Sequence, residues 1–249
     1  MLIDSHCHLQ NIQHIEISKI LENCEANKIE RLLSVCIGPN DISVLRKIAL
    51  EHENIDISTG IHPCSTTNEF NSFGEIEKEA SYEKVVAIGE TGLDYFKADN
   101  KKEQISSFVK HINLSNSLNK SLIIHTRSAA KDTIDIMKSE AAKRAVVHCF
   151  TESIEVAKSF LDLGYFISIA GIVTFKNALD LKKVAKYVPL DRLMVETDSP
   201  YLAPAPFRGK PCEPSYVIHT AKEIANIKNI SLTKLALETT KNYYKFSKF

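Results

Sequence analysis

Short apolar runs alternate along this chain with longer stretches in which apolar residues recur at helical spacing. The runs fall at Leu2–Asp4, Leu32–Cys36, Ile55–Gly60, Val85–Gly89, Leu122–Ile124, Ala145–Val147, Tyr165–Ile169 and Leu193–Val195, and each reads as a β-strand. Between them Ile17–Asn27, Asp41–Glu53, Lys102–Leu118, Ala130–Ser139, Ile154–Leu163 and Ala178–Lys186 read as amphipathic helices, with a further one at Pro214–Ile227. Eight strands alternating with helices in 249 residues predict an α/β fold, a (β/α)8 TIM barrel forming a single domain over 1–249. A doubly wound open sheet is the alternative, but the Gly-rich phosphate turn it carries after its first strand is missing.

Composition narrows the class of partner. The 31 basic and 31 acidic residues cancel, which argues against strong non-specific duplex binding and leaves room for an enzyme that grips only a strand end. The most apolar window, Tyr165–Phe175, is interrupted by Ser168, Gly171 and Thr174 and is too short to span a bilayer, so no membrane association is expected. With no basic, apolar leader at the start, a cytoplasmic location is expected. The six cysteines show no CxxC pair and read as free thiols.

The polar residues that end the strands carry the chemistry. In the stretch Asp4-Ser5-His6-Cys7-His8, alternation along a strand turns His6 and His8 to one face with Asp4 below them. Two imidazoles at a strand end suit either a metal site or ordinary packing. Further polar ends follow at Glu90, His125, His148 and Glu196-Thr197-Asp198, and in a barrel such ends gather at the C-terminal face, where active sites form. Burying four histidines and two carboxylates together is costly unless they are paired or coordinated, so the set favours metal. Six donors exceed what one zinc ion usually takes from protein, which suggests two ions sharing a carboxylate. Glu196 lies two residues from Asp198 on the same strand face, where it either orients a ligand or forms a salt bridge inside the barrel.

The segments DSHCH (4–8), GIHP (60–63), AIGETGLDY (87–95), IIHTR (123–127), HCFT (148–151), GIVTFKNA (171–178), ETDSPYLAP (196–204), FRGK (207–210) and EPSYV (213–217) together resemble the TatD family of metal-dependent deoxyribonucleases. The resemblance runs through nearly the whole chain. It implies a barrel metallo-hydrolase of the amidohydrolase-like superfamily that removes nucleotides 3′ to 5′ from single-stranded DNA. It further implies His6, His8, Glu90, His125, His148 and Asp198 as ligands of two divalent cations, Mg, Mn or Zn. In that pattern His6, His8 and Asp198 hold one ion, His125 and His148 the other, and Glu90 bridges them. Asp198 would also take the proton of the attacking water, with Glu90 and Glu196 as the other catalytic carboxylates. A cyclic amidase, lactonase or aminoacyl-tRNA deacylase on the same site is the alternative. Many of those enzymes bridge their metals with a carboxylated lysine, whereas here the fourth strand ends in Glu90 with no lysine before Lys97.

Substrate contacts are expected from His62, Arg127, Tyr201, Arg208 and Lys210. Arg127 would fork onto a phosphate, Tyr95, Phe96 and Tyr201 offer faces for bases, and His62 is read as a substrate or ligand-supporting residue, not a ligand. Single-stranded DNA is the expected partner, with no obligate protein partner. Two departures from the family pattern fall in loops: His62-Pro63-Cys64 where many relatives read HPH, and Pro211-Cys212 where many carry Arg-Asn. Both thiols are expected to be reachable from solvent, and Cys24 and Cys36 to be better protected.

Overall fold

The structure, a computed structural model, describes residues 1–66 and 72–247. Its strands are β1 (Leu2–Cys7), β2 (Ile29–Ser34), β3 (Ile55–Thr59), β4 (Val85–Asp94), β5 (Ser121–Arg127), β6 (Ala145–Val147), β7 (Phe166–Ile169) and β8 (Leu193–Val195). They stand side by side in chain order in one sheet, and the described pairings are parallel. Just past β8, Ser199 bridges Cys7 at the end of β1, so the strand order is that of the (β/α)8 barrel expected. The helices are α1 (Ile17–Ala26), α2 (Ile42–Glu51), α3 (Phe73–Glu79), α4 (Lys101–Leu118), α5 (Ala130–Ser139), α6 (Ile154–Asp162), α7 (Leu179–Tyr187), α8 (Val217–Lys228) and α9 (Leu232–Ser247). No described helix is long and apolar enough to cross a membrane.

Two compact units make up the chain. Residues 1–34 and 148–245 form the first, and residues 35–147 with the chain from Phe246 onward form the second.

In the first unit all six residues of β1 are buried although half of them are polar. Asp4 and Ser5 are both satisfied by partners in or just past β8, as burial demands. Ser5 Oγ donates to the Val195 carbonyl at 3.0 Å and lies 3.2 Å from Ser168 Oγ. Asp4 accepts the Thr197 N–H at 2.9 Å and the Thr197 hydroxyl at 2.6 Å.

In the second unit, β4 and β5 run further than their apolar stretches suggest. Their pairing continues through Gly92 opposite His125 to Asp94 opposite Arg127. Gly92 makes this possible: its φ is 132°, and a Cβ there would stand 2.0 Å from the His125 carbonyl oxygen. The strand extension carries Glu90 and Asp94 within β4, and His125 and Arg127 within β5.

Candidate metal centre

In the first unit three donors converge. His6 Nε2 and His8 Nε2 lie 3.2 Å apart, and Asp198 Oδ1 lies 3.3 Å from His8 Nε2 and 3.7 Å from His6 Nε2. Ligand atoms about 2.1 Å from a tetrahedral ion stand about 3.4 Å from one another, so these separations fit one cation among the three residues. Asp198 reaches this position with a left-handed backbone, φ 59°, held by its N–H on the His6 carbonyl at 2.9 Å. Such a conformation in a non-glycine residue persists where the surroundings enforce it, and it is common at functional sites. Burial pushes the Asp198 carboxyl up, but the His8 hydrogen bond and the neighbouring His6, His8 and His148 rings outweigh it and hold the group below the usual range. Asp4, beneath the histidines, goes the other way: burial raises it well above the usual range despite the Thr197 bonds.

His148 stacks on His6 with ring centroids 3.9 Å apart. Its Nδ1 lies 3.5 Å from Glu196 Oε1, which also accepts the Cys149 N–H at 2.7 Å. Glu196 is fully buried, and its Oε2 has no hydrogen-bond partner among the described residues. A buried, lone carboxylate oxygen beside two imidazoles is what a cation site offers. His148, which the resemblance groups with His125, thus stands beside His6 and Glu196 of its own unit.

In the second unit Glu90 Oε1 receives two histidines, 3.0 Å from His125 Nδ1 and 3.3 Å from His62 Nε2. The two rings are oriented by different partners. His62 Nδ1 accepts the Cys64 N–H at 3.1 Å, so its Nε2 carries a hydrogen and donates to Glu90. Burial lowers the His62 pKa, but the Glu90 charge, the Cys64 side chain and the bond to Glu90 more than reverse this and leave it raised. His125 Nε2 lies 3.0 Å from Asp94 Oδ2. A carboxylate cannot donate, so Nε2 carries a hydrogen toward Asp94, while Nδ1 faces Glu90, which likewise only accepts. Between Nδ1 and Glu90, 3.0 Å apart, there must be a proton or a cation, and the gap suits a metal ion held by Glu90 and His125. Asp94, at the end of an apparently ordinary G-L-D-Y stretch, gave no signal of this role in the sequence. Burial would raise its carboxyl, yet the bonds to His125 and to the N–H groups of Lys97 and Phe96 bring it down to about 2.

The expected substrate residues are spread more widely. The Arg127 guanidinium lies 4.0 Å over the Phe96 ring, which is 67 % exposed. Tyr95 is occupied, its hydroxyl donating to Asp132 at 2.9 Å and its ring covered by Lys101. Tyr201 is exposed and approaches His8 edge-on at 6.1 Å. Arg208 stacks over Phe175 at 4.4 Å, and Lys210 is exposed on the same loop. Of the two loop thiols, Cys64 is half-buried, but Cys212 is fully buried. That corrects the expectation of a reachable thiol: the Cys212 N–H is bonded to the Pro200 carbonyl at 3.0 Å, which draws its segment inward. Burial pushes the Cys212 thiol up, out of reach of deprotonation at neutral pH.

Imidazoles and carboxylates carried on, or just past, the parallel strands of a (β/α)8 barrel define a metal-dependent hydrolase. Residues 3–248 match the family described as TatD related DNase, and the chain belongs to that family. It is 41 % identical over 249 residues to YcfH of Escherichia coli K12, described as an uncharacterized metal-dependent hydrolase, covering 97 % of this chain and 94 % of YcfH. A hydrolase with the same description from Buchnera aphidicola subsp. Baizongia pistaciae is 43 % identical over 251 residues, covering 98 % and 95 %. The crystal structure of YJJV, a TatD homologue of Escherichia coli K12, shares the fold with a TM-score of 0.93 at 23 % identity, covering 99 % of this chain and 97 % of that one.

Proposed function

We propose that this hydrolase cleaves phosphodiester bonds at the 3′ ends of single-stranded DNA. The observation that carries this reading is the Arg127–Phe96 pair. A guanidinium stacked on an exposed ring, two residues beyond His125, offers a fork for a phosphate and an aromatic face for a base in one place. Zero net formal charge beside such local contacts suits a strand end better than a continuous duplex.

His6, His8 and Asp198 would hold one divalent ion, and Glu90 and His125 would hold a second. When bound, the ions neutralise phosphoryl charge and acidify the attacking water. Asp198, kept ionised by its histidine neighbours, would be the acceptor for the proton of the attacking water. Glu196 Oε1 faces His148 Nδ1 at 3.5 Å, and His62 donates to Glu90 and fixes its orientation. Imidazole-rich donors favour Zn or Mn over Mg by softness. Arg127 positions the phosphate and Phe96 carries the terminal base.

Mass spectrometry of products from single-stranded DNA labelled at either end, with Mg, Mn or Zn and with chelator, tests the reading. Metal-dependent release of mononucleotides from the 3′ end is expected, faster than from blunt duplex. No phosphodiester cleavage with any of the three ions, alongside hydrolysis of a cyclic amide, lactone or aminoacyl-tRNA, overturns it.

A further inference from the structure

We infer that Asp94 is a positioning residue that selects which nitrogen of His125 meets the metal, by holding a hydrogen on Nε2 so that Nδ1 is the nitrogen turned to the ion. The inference rests on the reading that Glu90 and His125 hold a divalent ion.

Asp94 is fully buried at the end of β4, and every atom able to bond is engaged. Its Oδ1 accepts the N–H groups of Phe96 at 3.0 Å and Lys97 at 2.8 Å, and its Oδ2 faces His125 Nε2 at 3.0 Å. Gln104 of α4 grips its backbone from both sides, accepting the Asp94 N–H at 2.8 Å and donating to the Asp94 carbonyl at 3.1 Å. The carboxylate therefore cannot turn, and having no hydrogen to give it demands one from Nε2. Nδ1 is thereby the nitrogen turned to Glu90 Oε1, 3.0 Å away, and to the ion when one is bound. A carboxylate on the far nitrogen of a ligating histidine sets both ring orientation and basicity, and losing such a partner typically costs about 10–100-fold in metal affinity.

The isosteric substitution Asp94→Asn does more than weaken this bond; it reverses it. The Phe96 and Lys97 N–H groups can only donate, so the amide oxygen must stay on them and the amide NH2 must face His125. Nε2 then has to accept, and the ring's hydrogen lies on Nδ1, where it bonds to Glu90 and occupies the ion's place. Asp94→Ala, by contrast, removes the demand without reversing it, but strips the 95–97 turn of its acceptor.

Two measurements decide. Long-range 1H–15N correlation of the metal-free proteins should show a hydrogen on His125 Nε2 in the wild type, and none on Nε2 but one on Nδ1 in Asp94→Asn. Titration calorimetry should show the second ion bound about 10–100-fold more weakly by Asp94→Asn, with an unchanged melting temperature. Asp94→Ala should melt lower and yet hold that ion better than Asp94→Asn. A hydrogen retained on Nε2 in Asp94→Asn, or a second ion held as tightly as by the wild type, overturns the inference. A wild type that binds no second ion while showing the hydrogen on Nε2 refutes the metal reading alone and leaves the Nε2 assignment standing.

Discussion

His111 should make this protein acid-sensitive over a defined range. It lies on the buried face of α4, its Nδ1–H donating to the Ser107 carbonyl at 2.7 Å and its Nε2 accepting the Ile61 N–H at 3.0 Å. Phe73 meets the ring edge-on at 4.9 Å, and Lys110 is its charged neighbour. Burial pulls its pKa from 6.5 to about 4; the Ser107 bond opposes the shift and the Lys110 charge adds to it. Protonation would set an N–H against the Ile61 N–H, one residue before His62. The folded state thus holds a neutral ring where the unfolded chain takes up a proton near 6.5. A depressed folded value gives stability that is complete above about pH 6.5 and is lost progressively toward about pH 4. At about 1.4 kcal/mol per tenfold change in proton affinity, the full loss is about 3 kcal/mol, of which about 2.5 kcal/mol is reached by about pH 4.5. Urea unfolding of the wild type and of His111→Gln, whose amide oxygen can accept the Ile61 N–H without titrating, isolates this group from all others. Between about pH 7.5 and about pH 4.5 the wild type should lose about 2.5 kcal/mol more than the variant. Parallel losses in the two proteins would refute the reasoning.

Gly92→Ala should destabilise the chain by more than about 3 kcal/mol, because its Cβ would collide with the His125 carbonyl oxygen at a φ of 132°; thermal melting measures it, and a near-wild-type midpoint counts against the close strand approach. Iodoacetamide on the native protein should label Cys64 well before Cys7, Cys24, Cys36 or Cys212, as peptide mass spectrometry will show, since the latter four are buried. Phe96→Ala should raise KM for single-stranded DNA about tenfold with little change in kcat, in line with about 1–3 kcal/mol for a base stacked on an aromatic ring; a fall confined to kcat would remove Phe96 from substrate binding.

The eight apolar runs marked the strands because a sheet buried on both faces needs them, and the runs at Ala145–Val147 and Leu193–Val195 match β6 and β8 at both ends. β4 and β5 outran their signal where Glu90, Thr91 and Asp94, then His125 and Arg127, replace apolar residues with polar ones that still pair. α3 and α9 went unread, α3 because it spans barely two turns and α9 because Lys, Thr and Asn dilute its apolar stripe. The histidines and carboxylates at strand ends were legible as candidates from position alone. The direction each ring faces was not: it depends on the Cys64 N–H beneath His62 and on Asp94 behind His125, contacts that no spacing encodes. His111 was hidden for a related reason, since α4 buries Gln104, Ser107 and Ser115 on the same face and so departs from a simple apolar stripe.

The bond between Asp4 and Thr197 joins residues 193 positions apart, and it sits beside the point where Asp198 meets His6 and His8. Contacts of such separation carry a large loop-closure cost and form late in folding. A growing chain therefore displays its two strand-end imidazoles for most of its synthesis without the carboxylate that completes their grip. Two imidazoles alone hold an ion weakly, and a preformed site rarely exists before folding. Choice of ion is in this way deferred to the finished fold, where pocket size and donor geometry can discriminate, and is not left to whichever cation first meets the nascent chain.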